Sequence, residues 1–303
     1  MKLLLAALPA ALIFTACSHN GPARNPSYAV NRAMHRQTRA HQANVFSHGD
    51  LPGDALRREI AGNPDNLAAR RQLALHYEQS GQPELAAEHL RFALQKFPQD
   101  IPTRTSLVRV LRQMGFDRDA LDTLNATTAE TWETQSWRGI LLDDLGRHDD
   151  ANKAHRAALD LQPNSATLHN NLGQSLLFCD KPKDAAAAFR AALTRDSRHE
   201  IARNNLGIAL ALSNPADAIA HWQSVSGPAA AHTNMAVVYL EQDKLSDARR
   251  ELNIALGHNR NYQPALANLA IVAGRDGRPA VLEPGPVQPP TMWAKIRSKL
   301  FGR

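Results

Sequence analysis

Cysteine is nearly absent from this 303-residue chain: Cys17 and Cys179 are its two. Two cysteines close at most one bridge, so a small fold stapled by several disulfides is excluded. Cys179 ends the apolar stretch Leu176-Leu177-Phe178-Cys179 and reads as a small core residue, not a reactive thiol. Aromatics are scarce, at 5% of residues, and the apolar residues that remain are mostly Ala and Leu, which favours close-packed helices. The apolar segment 3–14 falls short of the roughly 20 residues a membrane-spanning helix requires. Catalytic signatures are missing too. There is no HExxH, no Gly-rich phosphate loop, no GxSxG and no CxxC. The 13 histidines are scattered; His148 and His155 lie seven apart on one predicted helix, but the pattern places no carboxylate or third ligand beside them. Asp143-Asp144 and Asp149-Asp150 flank a turn and read as solvated helix ends. No catalytic residue, no metal site and no cofactor is therefore expected, and the chain reads as a non-enzyme. Only 26 residues follow position 277, too few for a catalytic domain.

What is present begins with the leader. Lys2 supplies a positive start, residues 3–14 an apolar stretch, and Thr15 and Ala16 small residues before Cys17. This has the parts of a secretory signal peptide over residues 1–16. The run Leu12-Ile13-Phe14-Thr15-Ala16-Cys17 resembles a bacterial lipoprotein signal, with Phe14 standing where Leu is usual. The resemblance implies that Cys17 carries a diacylglycerol and becomes the first mature residue. Ser18 after it implies sorting to the outer membrane, facing the periplasm. Several acyl chains anchor stably where one is marginal. A lipidated Cys17 would leave Cys179 without a disulfide partner in the chain.

The formal charge of +6 belongs to the ends. Residues 18–49 hold four arginines and no acid, residues 278–303 five basic residues and Glu283, and the middle is slightly acidic. Residues 17–53 read as a flexible tether, and 278–290, with five prolines from Pro279 to Pro290, as an extended linker. The basic ends suit either an anionic headgroup surface or plain solvation. Nucleic acid is not an expected partner, because the basic residues form no folded patch, and no small-molecule substrate is expected. The last segment, 291–303, reads as a short basic amphipathic helix: Trp293, Ile296 and Leu300 share one face. It could lie on a membrane, dock on a partner or fold back on its own chain.

Between the ends, residues 54–277 repeat with a period near 34, the length of a tetratricopeptide (TPR) unit. The clearest unit is 67–100. Leu73, Ala74 and Tyr77 sit on a first helix, Gly81 at the turn, Ala86, Leu90, Ala93 and Leu94 on a second, and Pro98 at its end, with Arg70 where an aromatic is usual. Units 101–131, 132–165, 166–199, 200–228 and 229–262 follow, with a helix at about 264–274 capping one end and one at 54–62 the other. This resembles the TPR family closely. The resemblance implies an all-α, right-handed superhelical solenoid of about six helix pairs with a capping helix, flanked by disordered tails, and it implies protein partners.

One constellation stands out. The sixth residue of the later units is Asn171, Asn205, Asn234 and Asn268, where the earlier units have Gln72, Ser106 and Trp137. Asn170 and Asn204 precede two of them. An amide offers an acceptor oxygen and two donors, which is what an extended peptide backbone requires. The pattern resembles the asparagine ladder of peptide-holding TPR proteins, which implies a peptide-binding groove.

The combination of lipoprotein leader, basic tether and TPR array resembles the TadD-type tight-adherence (Flp) pilus assembly lipoproteins. Ala230-Ala231-His232-Thr233-Asn234-Met235-Ala236-Val237-Val238-Tyr239 and Ala265-Leu266-Ala267-Asn268-Leu269 carry that likeness. It implies an outer-membrane scaffold that assembles a pilus or secretion machine. Two alternatives stay open: a type IV pilus pilotin-like lipoprotein acting on a secretin, and a general envelope adaptor recruiting peptidoglycan enzymes or proteases.

Overall fold

The computed structural model describes residues 51–280. The leader, Cys17, most of the tether, the linker beyond 280 and the C-terminal amphipathic segment lie outside the described residues. The described residues hold fourteen helices and no strand. They form two compact units, 51–181 and 182–280, divided inside the repeat that spans 166–199.

The first unit holds α1 (Leu51–Gly62), α2 (Leu67–Gln79), α3 (Pro83–Lys96), α4 (Ile101–Gln113), α5 (Asp117–Asn125), α6 (Trp132–Asp144), α7 (His148–Leu161) and α8 (Ala166–Phe178). Helix α1 begins at Leu51, so the last residues of the expected tether are helical. The second unit holds α9 (Pro182–Arg195), α10 (Glu200–Leu210), α11 (Pro215–Ser226), α12 (Pro228–Glu241), α13 (Leu245–His258) and α14 (Gln263–Asp276). Within each unit successive helices pack as antiparallel neighbours, and first helices also meet: α2 with α4, α4 with α6, α6 with α8, and α12 with α14.

Local sequence sets the helix starts. Side chains of Asn66, Asp100, Thr131, Ser165 and His199 each accept a hydrogen bond from a backbone N–H of the first turn of a first helix. That satisfies a donor the helix leaves orphaned. Several second helices open on proline, whose missing N–H costs nothing there: Pro83, Pro182 and Pro215. In five of the six helix pairs the turn between the two helices holds one left-handed residue. Gly81, Gly115 and Gly146 supply it with φ of 72°, 79° and 75°, while Asp180 (54°) and Asp243 (59°) adopt it without glycine's freedom.

The core is small residues seated against large ones. Ala74, Val108, Gly139, Gly173, Gly207 and Ala236, each the eighth residue of its repeat, are buried. Large side chains of second helices, Leu90, Leu124, His155, Phe189, Trp222 and Leu252, are fully enclosed. Burying one such apolar side chain contributes about 1.5–3 kcal/mol. The seats have no slack. A Cβ at Gly139 would stand 2.5 Å from the His155 ring, and one at Gly207 2.5 Å from Trp222 Nε1.

Arg70, which replaces the early aromatic, is buried and works through its polar end. Its Nε donates to the Pro64 carbonyl at 2.8 Å, and its guanidinium lies 4.3 Å over the Phe92 ring. The same position in later repeats reaches the same carbonyl six residues back: Arg104 to Pro98, His169 to Pro163 (3.1 Å) and Arg203 to Ser197. A donor that pins the preceding turn substitutes for an aromatic that would pack on it.

Candidate peptide-binding surface

The first helices of the two units carry different polar residues. In the first unit they engage one another. Arg71 on α2 donates to Asp100 Oδ2 (3.0 Å) and Thr103 Oγ1 (3.3 Å) at the start of α4. Glu78 pairs with Arg109, joining α2 and α4 again. Arg112 on α4 forks onto Asp144 on α6, its Nη2 at 3.2 Å from Oδ1. That hydrogen bond raises the Arg112 pKa against the opposing pull of burial. The Asp117 pKa is raised too, by burial and by the nearby Asp144 charge, which for a carboxylate disfavours the charged form.

Asp143 makes the strongest departure from expectation. It does not cap a solvated helix end: its side chain is 9% exposed and accepts from His148 Nδ1 (2.9 Å), His155 Nε2 (3.2 Å) and Ser175 Oγ (2.9 Å). This carboxylate ties α6, α7 and α8 together. Asn152 extends the network, donating to the His148 carbonyl (2.9 Å) and to Cys179 Sγ (3.2 Å). The residue types suggest a nucleophile triad, but the geometry does not make one. The Ser175 hydroxyl gives its hydrogen to the carboxylate, not to an imidazole, and Ser175 and His155 are sealed from solvent. The Cys179 thiol is pushed up by burial, which makes it a poor nucleophile.

In the second unit the corresponding face is amide and aliphatic. Asn205, Asn234 and Asn268 sit on α10, α12 and α14, and three residues on, one turn along the same face, stand Ile208, Val237 and Ile271. Asn204, Asn234, Asn268 and all three aliphatics are half-exposed, and Ile201, one turn before Asn205, is well exposed. Asn205 is 7% exposed and engaged within the protein. The Asn204 backbone carbonyl accepts from Trp222 Nε1 at 3.0 Å. Asn171 and Asn170 belong to the first unit, on α8, followed by Gln174 instead of an aliphatic. Asn171 is half-exposed; Asn170 is 4% exposed and donates to Gln174 Oε1 at 3.4 Å. Of the six expected asparagines, then, four present their side chains and two are turned inward.

Two further clusters brace the second unit. His232 Nδ1 meets the buried Glu251 at 2.8 Å, joining α12 to α13. Arg249, buried on α13, forks onto Asp276 (2.9 and 3.0 Å) and donates to the carbonyls of Arg278 (3.1 Å) and Pro279 (2.9 Å). The Arg249 hydrogen bonds hold the Asp276 carboxyl down at about 2. The expected linker is thus fastened at its first residues. Among the described residues no group of three or more His, Cys, Asp or Glu is placed to hold a metal ion, and no helix is long and apolar enough to cross a membrane.

Comparison with known proteins agrees with this architecture. Two family models, both described as tetratricopeptide repeat, match residues 50–123 and residues 138–177 and 180–231, together more than half of the chain. A curated relative, the uncharacterized protein y4yS of Sinorhizobium fredii, is 27% identical over 122 residues, which is 39% of this chain and 65% of the relative. Among solved structures, the APC/C hetero-tetramer Cut9-Hcn1 superposes with a TM-score of 0.58 at 18% identity over 82% of this chain and 49% of that one, so the chain spans about half its length. A tetratricopeptide repeat protein from Parabacteroides merdae superposes with a TM-score of 0.54 at 16% identity, covering 78% of this chain and 98% of that one. At such identities the structures establish the fold. Stacked helix pairs of this kind present surface to other proteins, and protein–protein interaction is the class of work they fit. The chain belongs to the tetratricopeptide repeat family.

Proposed function

We propose that this protein is a periplasm-facing adaptor, anchored to the outer membrane by lipid on Cys17, that holds an extended peptide segment of a pilus or secretion component of the tight-adherence type. The observation that carries the binding reading is the pairing of a half-exposed amide with a half-exposed aliphatic on the last two first helices of the second unit, Asn234 with Val237 and Asn268 with Ile271, with Asn204 and Ile208 half-exposed on the first helix before them. An amide can both donate to and accept from a peptide unit, whatever the peptide's sequence. The aliphatic beside it offers a dry contact for a side chain. Alternating backbone capture and apolar contact is how an extended segment is recognised, with main-chain bonds giving affinity and pockets giving specificity. The ligand class is therefore an extended peptide with spaced apolar residues. The leader, the Ser18 sorting residue and the tether support the location.

Three experiments test this reading. Cys17→Ser is expected to leave the protein soluble or held as precursor; continued outer-membrane fractionation would remove the lipid anchor from the account. Selection of a random peptide library on the full chain is expected to return extended sequences with spaced apolar residues, and recovery of only charged or helical binders would contradict the surface chemistry. Gene deletion is expected to abolish surface fimbriae with normal growth. Loss of heat-resistant secretin multimers as well would favour the pilotin-like role, and intact fimbriae with envelope leakage would favour the general envelope adaptor.

A further inference from the structure

The last described helix, α14, is the first helix of a repeat whose second helix is missing from the described residues. Register shows this. Thr233, Ala236 and Leu240 on α12 are buried, and 34 residues later Ala267, Ala270 and Gly274 on α14 are exposed. The eighth residue of every earlier repeat is buried, and at Gly139 and Gly207 it forms the seat for the large side chain of the following helix. Ala270 occupies that position and is open. Nor does α14 have the polar outer face by which a terminal repeat stays soluble. Positions 264–274 contain no charged residue, and Leu266 and Ile271 flank the exposed small residues. Such a face is built to be covered.

We propose that the chain's own C-terminal segment, residues 292–301, covers it, serving as the second helix of this seventh repeat and laying Trp293, Ile296 and Leu300 across Ala267, Ala270 and Gly274. Three observations favour this occupant. The chain's exit is already directed: Gly277 turns the chain with φ of 72°, and Arg249 on the neighbouring second helix, α13, grips the carbonyls of Arg278 and Pro279. The layer of second helices is therefore where the chain leaves. The reach suffices: eleven residues lie between Ala280 and Met292, so the twelve steps span up to about 37 Å at the 3.1 Å per residue of a Pro-rich stretch. Helix α14 is about 21 Å long at 1.5 Å per residue. The chemistry fits: the segment's one apolar face carries large side chains, of the kind that the small seats at Gly139 and Gly207 accept from their own second helices, while Lys295, Arg297 and Lys299 fall mostly away from it. Linkage makes the docking intramolecular, at an effective concentration in the millimolar range for a short linker.

Hydrogen exchange on the full chain tests it. With W293A/I296A/L300A the amides of α14 should exchange at least tenfold faster, while those of α2 to α8 stay unchanged; α14 exchange equal to that of the unaltered chain would overturn the proposal. A photo-crosslinking p-benzoylphenylalanine in place of Ala267 provides the second readout. Its expected product is an intramolecular link to residues 292–301. A link to a second copy of the chain, or to lipid in phosphatidylglycerol vesicles, would overturn it in favour of a dimer face or a membrane contact.

Discussion

The two units place different chemistry at equivalent positions. Residue twelve of a repeat is Asp143 on α6 of the first unit and Leu240 on α12 of the second. The carboxylate ties three helices through two histidines and a serine, whereas the leucine is simply buried. Residue six is Trp137 on α6 and Asn234 on α12. In the first unit the polar groups of neighbouring first helices satisfy one another; in the second, Arg275 makes such a link to Asp243 and the Leu240 carbonyl, while Asn234 and Asn268 stand half-exposed beside Val237 and Ile271. A polar group already paired to its own fold gains little by binding elsewhere, because the old bond must be broken first. The second unit is thus the better candidate for holding a partner, and the first the better candidate for a stiff support.

Substitutions that exchange the features of the two units should have graded effects. The largest is expected at Gly207. Replacing a mid-helix glycine ordinarily gains up to about 1 kcal/mol, but a branched side chain here drives into Trp222 and breaks its bond to the Asn204 carbonyl. Gly207→Val should cost about 2–4 kcal/mol, read as a lowered urea midpoint and lost exchange protection in α10 and α11. Retained stability would mean that the close seat is not what holds these helices.

Asp143→Leu, which gives the first unit the residue of the second, comes next. It leaves His155 and Ser175 with donors buried and unpaired, and should cost about 2–3 kcal/mol. An unchanged midpoint would show that packing, not the carboxylate, joins α6 to α8. Arg249→Met should lower the melting temperature near neutral pH and free residues 276–280. Because the Asp276 pKa is depressed to about 2 from an ordinary 3.8, the pair's contribution is complete above about pH 4 and fades as pH falls through 2. The melting difference between wild type and Arg249→Met should therefore shrink between pH 5 and pH 2; a constant difference would assign Arg249 a purely steric role. The smallest effect is a gain. Asp180 holds the left-handed turn position that Gly81, Gly115 and Gly146 fill elsewhere. Asp180→Gly should stabilise by about 0.5–1 kcal/mol, and a loss would point to a side-chain role for Asp180.

Periodicity made the helix pairs legible, because small and large apolar residues recur at helical spacing and Gly81, Gly115, Gly146 and Pro98 punctuate them. The two outermost described helices were legible to within a few residues: 54–62 and 264–274 are expected, and Leu51–Gly62 and Gln263–Asp276 are found. What periodicity does not carry is the partner across an interface. Asp143 looked solvated because two aspartates before a turn usually are; only the approach of α7 and α8 brings His148, His155 and Ser175 to it. Arg70 looked like a defect in the pattern until the Pro64 carbonyl gave its guanidinium a partner. Asn170 and Asn205 matched the peptide-holding pattern by position, yet their helices turn both amides inward. The Arg249 grip on residues 276–279 joins parts of the chain about one repeat apart, and no local signal announces it.

The most direct test of the account is peptide binding by N234A/N268A, with helicity checked by circular dichroism. The probe is the tightest peptide recovered from the library selection, labelled for fluorescence anisotropy, and the control is Q72A/S106A in the first unit. Each lost hydrogen bond is worth about 0.5–1.5 kcal/mol, so binding should weaken roughly 5- to 150-fold for N234A/N268A and less than about twofold for the control. Equal affinities for both variants at full helicity, or a larger loss in the control, would contradict it.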